Sequence, residues 1–261
     1  MPAPASISLL SVPLHRLTTA QTLDHIVAES RAGRGGWVVT PNLDILRQLV
    51  NNQDTRTLCA GASLFVADGM PLIWASRLQR TPLPERVTGS DMVFSLTQRA
   101  ADAGLRLSLV GGDIMQDGTR IADIAAARLR EKFPALTIAS TDAPPYGFDD
   151  AYVQGLIQRL AAARPDIIYV AIGFPKQERL IARLRPHLPN AWFLGIGISF
   201  SFVTGDVQRA PRWMQRTGLE WVHRMAQEPG RLAKRYLLHG LPFAARLLIS
   251  SAWRGIAGPR E

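Results

Sequence analysis

The sequence predicts an α/β fold in which a doubly wound, mostly parallel sheet is followed by a basic helical appendage. Short, mainly apolar segments alternate with segments of helical periodicity through the first 205 residues. This alternation is typical of parallel strands that helices cover on both faces. Charge divides the chain at the same point, since residues 206–261 hold ten of the 30 basic residues but only four of the 21 acidic ones. We therefore predict a core, residues 1–205, and an appendage, residues 206–261.

Six strands and the helices between them can be assigned in order along the core. The predicted strands are residues 36–40, 62–68, 105–112, 136–141, 165–173 and 191–200, each a short and mainly apolar run. Helices are predicted over residues 42–50, 70–79, 116–132, 149–163 and 176–184, where apolar residues recur at helical spacing. Six such units in series are typical of a Rossmann-like α/β domain.

Composition excludes several classes of protein. With 261 residues, 47% hydrophobic and 20% charged, the chain is a folded globular protein and not a disordered one. Cys59 is its only cysteine, so an intrachain disulfide or a cysteine-built metal cage is excluded. No basic segment precedes the first apolar residues, and the longest uncharged run, 188–205, contains Pro, Asn, Gly and Ser. We predict a cytoplasmic protein with neither a secretory signal nor a membrane span.

The positive charge favours a polyanionic partner. A formal charge of +9 and a pI near 10.7 suit nucleic acid, anionic lipid or a phosphorylated substrate. A nucleic-acid-binding protein is one alternative, with which Trp213 and Trp221 among arginines are compatible; comparing salt-dependent binding to DNA and to anionic vesicles would test it. A nucleotide-dependent oxidoreductase is a second alternative, but its GxGxxG fingerprint is absent. Cofactor absorbance of the purified protein would test that class.

Ligands of open α/β sheets bind outside the carboxyl ends of the strands, so the residues after each strand are the candidates for a site. Asp68 ends one predicted strand and is either a general base or the N-cap of the helix that starts near Met70. Thr40 and Asn42 follow another strand and offer a hydroxyl and an amide to a sugar or phosphate, although Pro41 and Asn42 also suit a simple turn.

Two further strand ends carry small or basic residues. Gly111 and Gly112 end a strand and open the next predicted segment, so their amides form either a phosphate cradle or a tight turn. Lys176 and Gln177 lie in the first turn of a predicted helix, where a cation opposes the helix dipole unless an anion lies nearby.

Several known catalytic signatures are missing from the chain. It contains no DxD triplet to hold Mg²⁺ on a nucleotide diphosphate, no GxSxG and no HExxH. We therefore predict no metal site and no cofactor. If a diphosphate is bound, arginine and lysine must neutralise it.

A series of motifs in fixed order gives the most specific signal. They are ADG (67–69), ERVTGSD (85–91), LVGG (109–112), GFPKQE (173–178), GIGISFSFVTG (195–205), RAPRWMQRTGLEWVHRMAQEP (209–229) and RLAKRYL (231–237). In these motifs the chain resembles the WecG/TagA/CpsF glycosyltransferases over nearly its whole length. The resemblance implies an inverting, metal-independent transfer of a mannose-type sugar from a UDP- or GDP-linked donor to a polyprenyl-diphosphate-linked saccharide. It implies sugar nucleotide, lipid-linked acceptor and anionic membrane as partners, with no nucleic acid; a homo-oligomer is compatible with it.

The resemblance also implies roles for individual residues. Asp68 matches the general base that deprotonates the acceptor hydroxyl, and Thr40 and Gln177 match polar active-site positions. Arg86 matches a cation near the phosphates, with Asn42 and Lys176 as neighbours. Gly111 and Gly112 remain candidates for substrate binding, and the arginines of the appendage, Arg209, Arg212 and Arg216, are expected to close over the cleft and contact phosphates.

One position departs from the family pattern. Phe200-Ser201-Phe202 stands where these enzymes usually have Phe-Asp-Phe. Because a hydroxyl contacts a sugar or base differently from a carboxylate, this difference favours a neutral mannosyl donor, as in xanthan-type exopolysaccharide synthesis.

The end of the appendage has the pattern of an interfacial amphipathic helix. Its predicted apolar face consists of Leu241, Ala244, Ala245, Leu248, Ala252 and Ile256. We expect this helix to bind the inner face of the cytoplasmic membrane peripherally and to be dispensable for folding of the core. A terminal helix packed on the core is the alternative.

Overall fold

The computed structural model describes residues 4–205, 210–227 and 229–257 of the chain. Within them, six parallel strands form one sheet in the order β4-β3-β8-β7-β5-β6. These strands are β3 Gly36–Val39, β4 Leu64–Phe65, β5 Arg106–Gly111, β6 Thr137–Asp142, β7 Ile167–Ala171 and β8 Trp192–Gly195. The predicted parallel sheet is confirmed, because five of the six predicted apolar runs contain one of these strands and the run 136–141 overlaps β6.

Helices cover both faces of the sheet. In the core they are α1 Thr19–Arg31, α2 Leu43–Asn51, α3 Gln53–Cys59, α4 Met70–Leu78, α5 Gly89–Asp102, α6 Ile121–Lys132, α7 Asp150–Ala163, α8 Lys176–Leu184 and α9 Ser199–Thr204. Two core clusters result: one includes Phe193 of β8 with Leu46 of α2 and Ile181 of α8, and the other includes Tyr169 of β7 with Leu96 of α5. The sequence analysis identified neither α1 nor α5, although both contain apolar residues at helical spacing.

Several predicted elements are shorter than expected, and β4, β8 and α6 differ most from the prediction. β4 has two residues instead of the run 62–68, because its neighbour β3 is followed by Pro41, which has no N–H to continue the ladder. β8 ends at Gly195, because the chain turns at Gly197 with φ +61° before α9 begins. α6 begins at Ile121 and not near residue 116, since Gly118 has φ +83°, which a helix does not accommodate.

An N-terminal hairpin that the sequence analysis did not identify covers the edge of the sheet. Its strands are β1 Ser6–Leu9 and β2 Val12–His15, and they pair antiparallel. Leu9 and Leu14 are buried in the core cluster. His15 Nδ1 accepts a hydrogen bond of 2.9 Å from the Phe65 amide, so the hairpin occupies part of the free edge of β4.

The described appendage is helical, as predicted. It contains α10 Arg212–Thr217, α11 Glu220–Gln227, α12 Pro229–Ala233, a π-helical segment Lys234–Gly240, and α13 Leu241–Ala257. The π-helical segment places Arg235 2.9 Å from the carboxylate of Asp44 on α2.

The last helix is a packed part of the fold. Phe243 and Leu247 on α13 are buried in the same cluster as Leu72 and Ala75 of α4. The two helices approach so closely that a Cβ on Gly255 would lie 2.1 Å from the Leu78 carbonyl oxygen. Removing a buried Phe or Leu typically costs about 2–5 kcal/mol. The helix is therefore packed on the core, as in the alternative considered from the sequence, and its dispensability for folding stays a prediction.

Candidate active site

The candidate site lies at the carboxyl ends of β3, β4 and β8, around the first turn of α5. The Gly89 amide, at the start of α5, donates a hydrogen bond of 3.4 Å to Asp68 Oδ2. A Cβ on Gly89 would lie 3.6 Å from Thr40 Oγ1 and 3.8 Å from Ile196 Cα. Asp68, Thr40 and the loop after β8 therefore surround one helix terminus, as the sheet topology predicts.

Asp68 does not cap the helix that follows it. The N-cap of α4 is Gly69, and no described side chain makes a capping hydrogen bond there. The Asp68 carboxylate instead approaches α5, while its amide donates to the Pro41 carbonyl at 2.8 Å. Of the two alternatives for Asp68, the capping role is excluded.

Burial sets the proton affinity of Asp68. It raises the pKa of this carboxyl from 3.8 to about 6, mainly because the charged form is poorly solvated. Arg86 acts in the opposite direction, as does the Gly89 amide, whereas the negative charges of Glu220 and Asp91 raise the pKa further. The carboxyl therefore titrates close to neutral pH, in the range that general bases use.

Arg86 lies beside this carboxyl and belongs to an ion pair. Its Nη1 atom is 2.8 Å from Glu220 Oε2, and the two side chains are only 16% and 20% exposed. Arg86 precedes α5, and Glu220 is the first residue of α11. This pair therefore connects the core to the appendage next to Asp68.

Asn42 has a defined structural role. Its Oδ1 atom accepts a hydrogen bond of 3.0 Å from the Ile45 amide and so caps α2. Thr40, two residues earlier, is half-buried at the end of β3. A contact of either residue with substrate stays a prediction.

Gln177 lies behind the loop that follows β8. It is 3% exposed, its Oε1 accepts from the Gly197 amide at 2.9 Å, and its Nε2 donates to Glu178 Oε1 at 2.9 Å. A Cβ on Gly195 would lie 2.3 Å from Gln177 Nε2, so only glycine fits there. The amide of Gln177 therefore shapes the loop, and a direct contact with substrate remains a prediction.

The other predicted binding residues lie farther along the same edge. Lys176 is exposed, with Nζ 4.9 Å above the Tyr146 ring. Gly111 and Gly112 do not open a helix, because α6 starts only at Ile121. Glycine is needed at position 111 for close packing, since a Cβ there would lie 2.5 Å from the Ala171 carbonyl oxygen. Gly111 and Gly112 therefore do not lie at a helix N-terminus, whose amides would favour a phosphate, and their contact with phosphate stays a prediction.

Comparison with known proteins gives a family and two named relatives. The model of the "Glycosyl transferase WecG/TagA/CpsF family" matches residues 7–256. An "N-acetylglucosaminyldiphosphoundecaprenol N-acetyl-beta-D-mannosaminyltransferase" of Bacillus spizizenii W23 is 30% identical over 201 residues, which are 76% of this chain and 74% of the relative. The enzyme of the same name from Bacillus subtilis 168 is 30% identical over 202 residues, 76% of this chain and 73% of the relative.

The chain belongs to the WecG/TagA/CpsF glycosyltransferase family. It is therefore a glycosyltransferase, and the predicted resemblance is confirmed. Membership of this family decides against the two alternative classes, a nucleic-acid-binding protein and an oxidoreductase.

The arginines that were expected to close over the cleft can be placed only in part. Arg209 lies outside the described residues. Arg212 and Arg216 belong to α10, and their side chains also lie outside the described part. Ser201, where the family usually has aspartate, is half-buried in α9, directly after the fully buried Phe200.

Two carboxylates of this glycosyltransferase were missed by the sequence analysis. Glu220 stands out in the sequence only as one of a few acidic residues in a basic segment. Glu178 has the pattern of an ordinary helical residue, although its position three residues before Ile181 puts it on the buried side of α8. That spacing was the available signal; nothing local indicated the partner of Glu220.

Glu178 gives a prediction about stability. It is 1% exposed, its Oε2 atom has no hydrogen-bond partner among the described residues, and burial raises its pKa from 4.5 to about 7. Between these pH values the unfolded chain loses a proton that the folded protein keeps, so stability falls as pH rises. The loss is about 3 kcal/mol by proton linkage. As the pH rises from 4.5 to 8, the wild type should therefore lose up to about 3 kcal/mol of stability that Glu178→Gln does not lose.

Urea unfolding at pH 4.5, 6 and 8 measures this effect. Glu131→Gln is the matched control, since the Glu131 side chain is 75% exposed on α6. The two variants should differ in how stability changes with pH, whatever their absolute stability. Parallel curves for Glu178→Gln and the wild type would show that Glu178 is ionised in the folded protein at low pH.

Proposed function

We propose that this glycosyltransferase moves a mannose-type sugar, with inversion, from a sugar nucleotide to a polyprenyl-diphosphate-linked saccharide in the synthesis of a bacterial exopolysaccharide or other cell-surface polymer. The observation that carries the proposal is a carboxyl titrating near neutral pH, Asp68, beside a cation, Arg86, at the ligand-binding edge of the sheet. The names of both relatives describe transfer of N-acetylmannosamine to a lipid-diphosphate-linked sugar, and they support this substrate class.

The proposed mechanism is a single displacement. Asp68 takes the proton from the acceptor hydroxyl, and the oxygen attacks the anomeric carbon of the donor from the face opposite the nucleotide. The new C–O bond forms as the bond to the diphosphate breaks, which inverts the anomeric configuration. The leaving diphosphate carries the bonding electrons away as negative charge, and the guanidinium of Arg86 stabilises it.

A donor panel tests this proposal. Purified protein is incubated with UDP-N-acetylmannosamine, UDP-N-acetylmannosaminuronic acid or GDP-mannose and a synthetic lipid-diphosphate-linked N-acetylglucosamine, and products are identified by mass spectrometry. We expect one mannose-type donor to give a β-linked product and the reaction to persist in EDTA. Retained anomeric configuration, or activity lost in EDTA and restored by Mg²⁺, would contradict the proposed chemistry. Transfer only from a gluco-configured donor would contradict the substrate class.

We also propose that α13 docks on the membrane that holds the acceptor. The apolar face predicted from sequence is partly wrong: Leu241, Ala245 and Ile256 are exposed, but Ala244, Leu248 and Ala252 are half-buried. The reason is that Phe243 and Leu247 on the adjoining face pack against α4. The outward face is rotated toward Ile249 and Trp253, which are 58% and 69% exposed.

This outward face has the composition of an interfacial helix. It consists of Leu241, Ala245, Ile249, Trp253 and Ile256, with exposed Arg246 and Arg254 close by. Apolar side chains enter the headgroup region while arginines attract anionic lipid, each worth about 1 kcal/mol near the surface. No helix in the described ranges is long and apolar enough to cross a bilayer.

Exchanging outward-facing residues of α13 tests the docking. The triple variant Ile249→Ser, Trp253→Ser, Ile256→Ser should bind vesicles of phosphatidylglycerol and phosphatidylcholine at least tenfold more weakly in sedimentation. It leaves the buried residues of α13 in place, so its fold should be unchanged. The control is Ile114→Ser, Met115→Ser, which removes two half-exposed apolar side chains after β5. Equal sedimentation of the triple variant and the wild type would show that α13 is not the anchor.

A further inference from the structure

The ion pair between Arg86 and Glu220 joins two parts of the chain that are distant in sequence. Arg86 lies in the segment before α5 of the core, and Glu220 begins α11 of the appendage. The 2.8 Å contact between Nη1 and Oε2 is mostly shielded from water. A shielded pair is screened by salt much less than a surface pair, so its attraction persists at physiological ionic strength.

The position of this pair beside Asp68 gives it a consequence for the reaction. The charged and polar groups that face the Asp68 carboxyl are Arg86, the Gly89 amide, Glu220 and Asp91. Arg86 favours the ionised form of Asp68 and so weakens it as a base, whereas Glu220 acts in the opposite sense. Glu220 thus offsets the effect of the cation that the departing diphosphate requires.

We propose that Glu220 is a positioning residue for sugar transfer, which holds the Arg86 guanidinium toward the donor diphosphate and keeps its charge from weakening Asp68 as a base. This inference rests on the proposed function of Asp68 and Arg86. A guanidinium presents N–H groups on more than one edge, so a carboxylate on one edge leaves another for phosphate oxygens. On this proposal, the appendage contributes to the site through this acidic residue.

A purely structural role for Glu220 makes a different prediction. If the pair only attached α11 to the core, its loss would lower activity by the same factor at every pH. If Glu220 tunes Asp68, its loss must also move the acidic limb of the pH profile. The direction is fixed by charge: removing a negative group makes Asp68 easier to ionise, so the limb moves to lower pH.

The experiment compares Glu220→Gln with Glu220→Asp in the full chain. We measure kcat/KM for the acceptor from pH 4.5 to 9, using the donor accepted in the panel and a short-chain, water-soluble lipid diphosphate. Glu220→Gln should shift the acidic limb down by about one pH unit and lower the plateau by about tenfold, because a weaker base is a poorer proton acceptor. Glu220→Asp keeps the charge and should keep the limb within a few tenths of a unit.

Two further variants make the result decisive. Glu85→Gln removes an exposed carboxylate next to Arg86 in sequence, which accepts a hydrogen bond from the Thr19 amide, and should leave the limb unchanged. In Arg86→Gln/Glu220→Gln both charges of the pair are gone and their opposite effects on Asp68 are removed together, so the limb should return toward its wild-type position. This double variant provides the measurement if Glu220→Gln alone does not fold.

The outcomes separate this inference from the proposed function. An unshifted limb in Glu220→Gln, with activity that still depends on Asp68, overturns the role of Glu220 alone. If the limb is unshifted in Glu220→Gln and Asp68→Asn is also fully active, both the role of Glu220 and the proposed role of Asp68 as the base are overturned. A limb that shifts down in Glu220→Gln and is restored in the double variant supports the proposal.

Discussion

Replacing Asp68 by Asn is expected to lower kcat by about 10²–10⁴-fold while donor affinity changes little. Asparagine has nearly the same shape and can still accept the Gly89 hydrogen bond through its oxygen. It cannot take a proton from the acceptor hydroxyl at neutral pH. The effect should therefore appear in turnover and not in the dissociation constant of the donor.

Kinetics and calorimetry of the donor complex measure these two quantities separately. Asp113→Asn is the matched control, because Asp113 follows β5 at the same edge of the sheet but is exposed. Stability should not confuse the result, since the half-buried Asp68 carboxylate is itself costly to ionise and its removal leaves no new unpaired charge. Turnover of Asp68→Asn within about threefold of wild type would place the base elsewhere, with Thr40 or a substrate phosphate as the next candidate.

The wild-type pH profile follows from the same carboxyl. Activity should fall as pH drops through about 6, where Asp68 takes up its proton in the folded enzyme. The acidic limb should be absent from the residual activity of Asp68→Asn. This loss of the limb distinguishes a missing base from a general loss of active protein.

Replacing Arg86 by Ala is expected to cost about 10²–10³-fold in kcat/KM for the donor, the range seen when one fixed stabiliser of developing negative charge is removed. Two effects add here. The departing diphosphate loses its cation, and the mostly buried Glu220 loses its ion pair with Arg86. Without that cation the acidic limb should also move to higher pH, because Arg86 lowers the pKa of Asp68.

Donor binding, turnover and the pH profile should therefore all change in Arg86→Ala. Arg183→Ala is the control, since Arg183 pairs with the 91% exposed Asp150 on the protein surface. Arg86→Lys tests geometry, because lysine keeps the charge but cannot contact carboxylate and phosphate with two edges. Wild-type affinity for the donor in Arg86→Ala would assign the diphosphate to other cations, such as the arginines of α10.

The sequence by itself determined the class of fold and the edge at which the site lies. A run such as residues 36–40 or 165–173 is apolar at nearly every position, so it is stable only where both faces of a sheet are covered. Parallel strands then place the residues after them at one edge, which is why the strand pattern alone predicts that Thr40 and Asp68 lie together. The ordered motifs identified the family for a different reason, since they match a known pattern.

Only the tertiary structure excluded the capping role of Asp68 and showed which face of α13 packs on the core. Pattern and spacing could not distinguish a capping Asp68 from a buried base, because the answer depends on Gly89, which belongs to a different element. The apolar residues of α13 cover nearly its whole circumference, so periodicity could not tell the face that packs on α4 from the outward one.

The charges depended on tertiary structure most strongly. The pKa of Glu178 follows from its burial, and the ion pair of Arg86 is with a partner 134 residues away in sequence. Electrostatic energies depend on distance in space and on the exclusion of water, and local sequence specifies neither quantity. For this glycosyltransferase, sequence therefore pointed to Asp68 and Arg86 as candidates, whereas folding set the proton affinity of Asp68 and the ion-pair partner of Arg86.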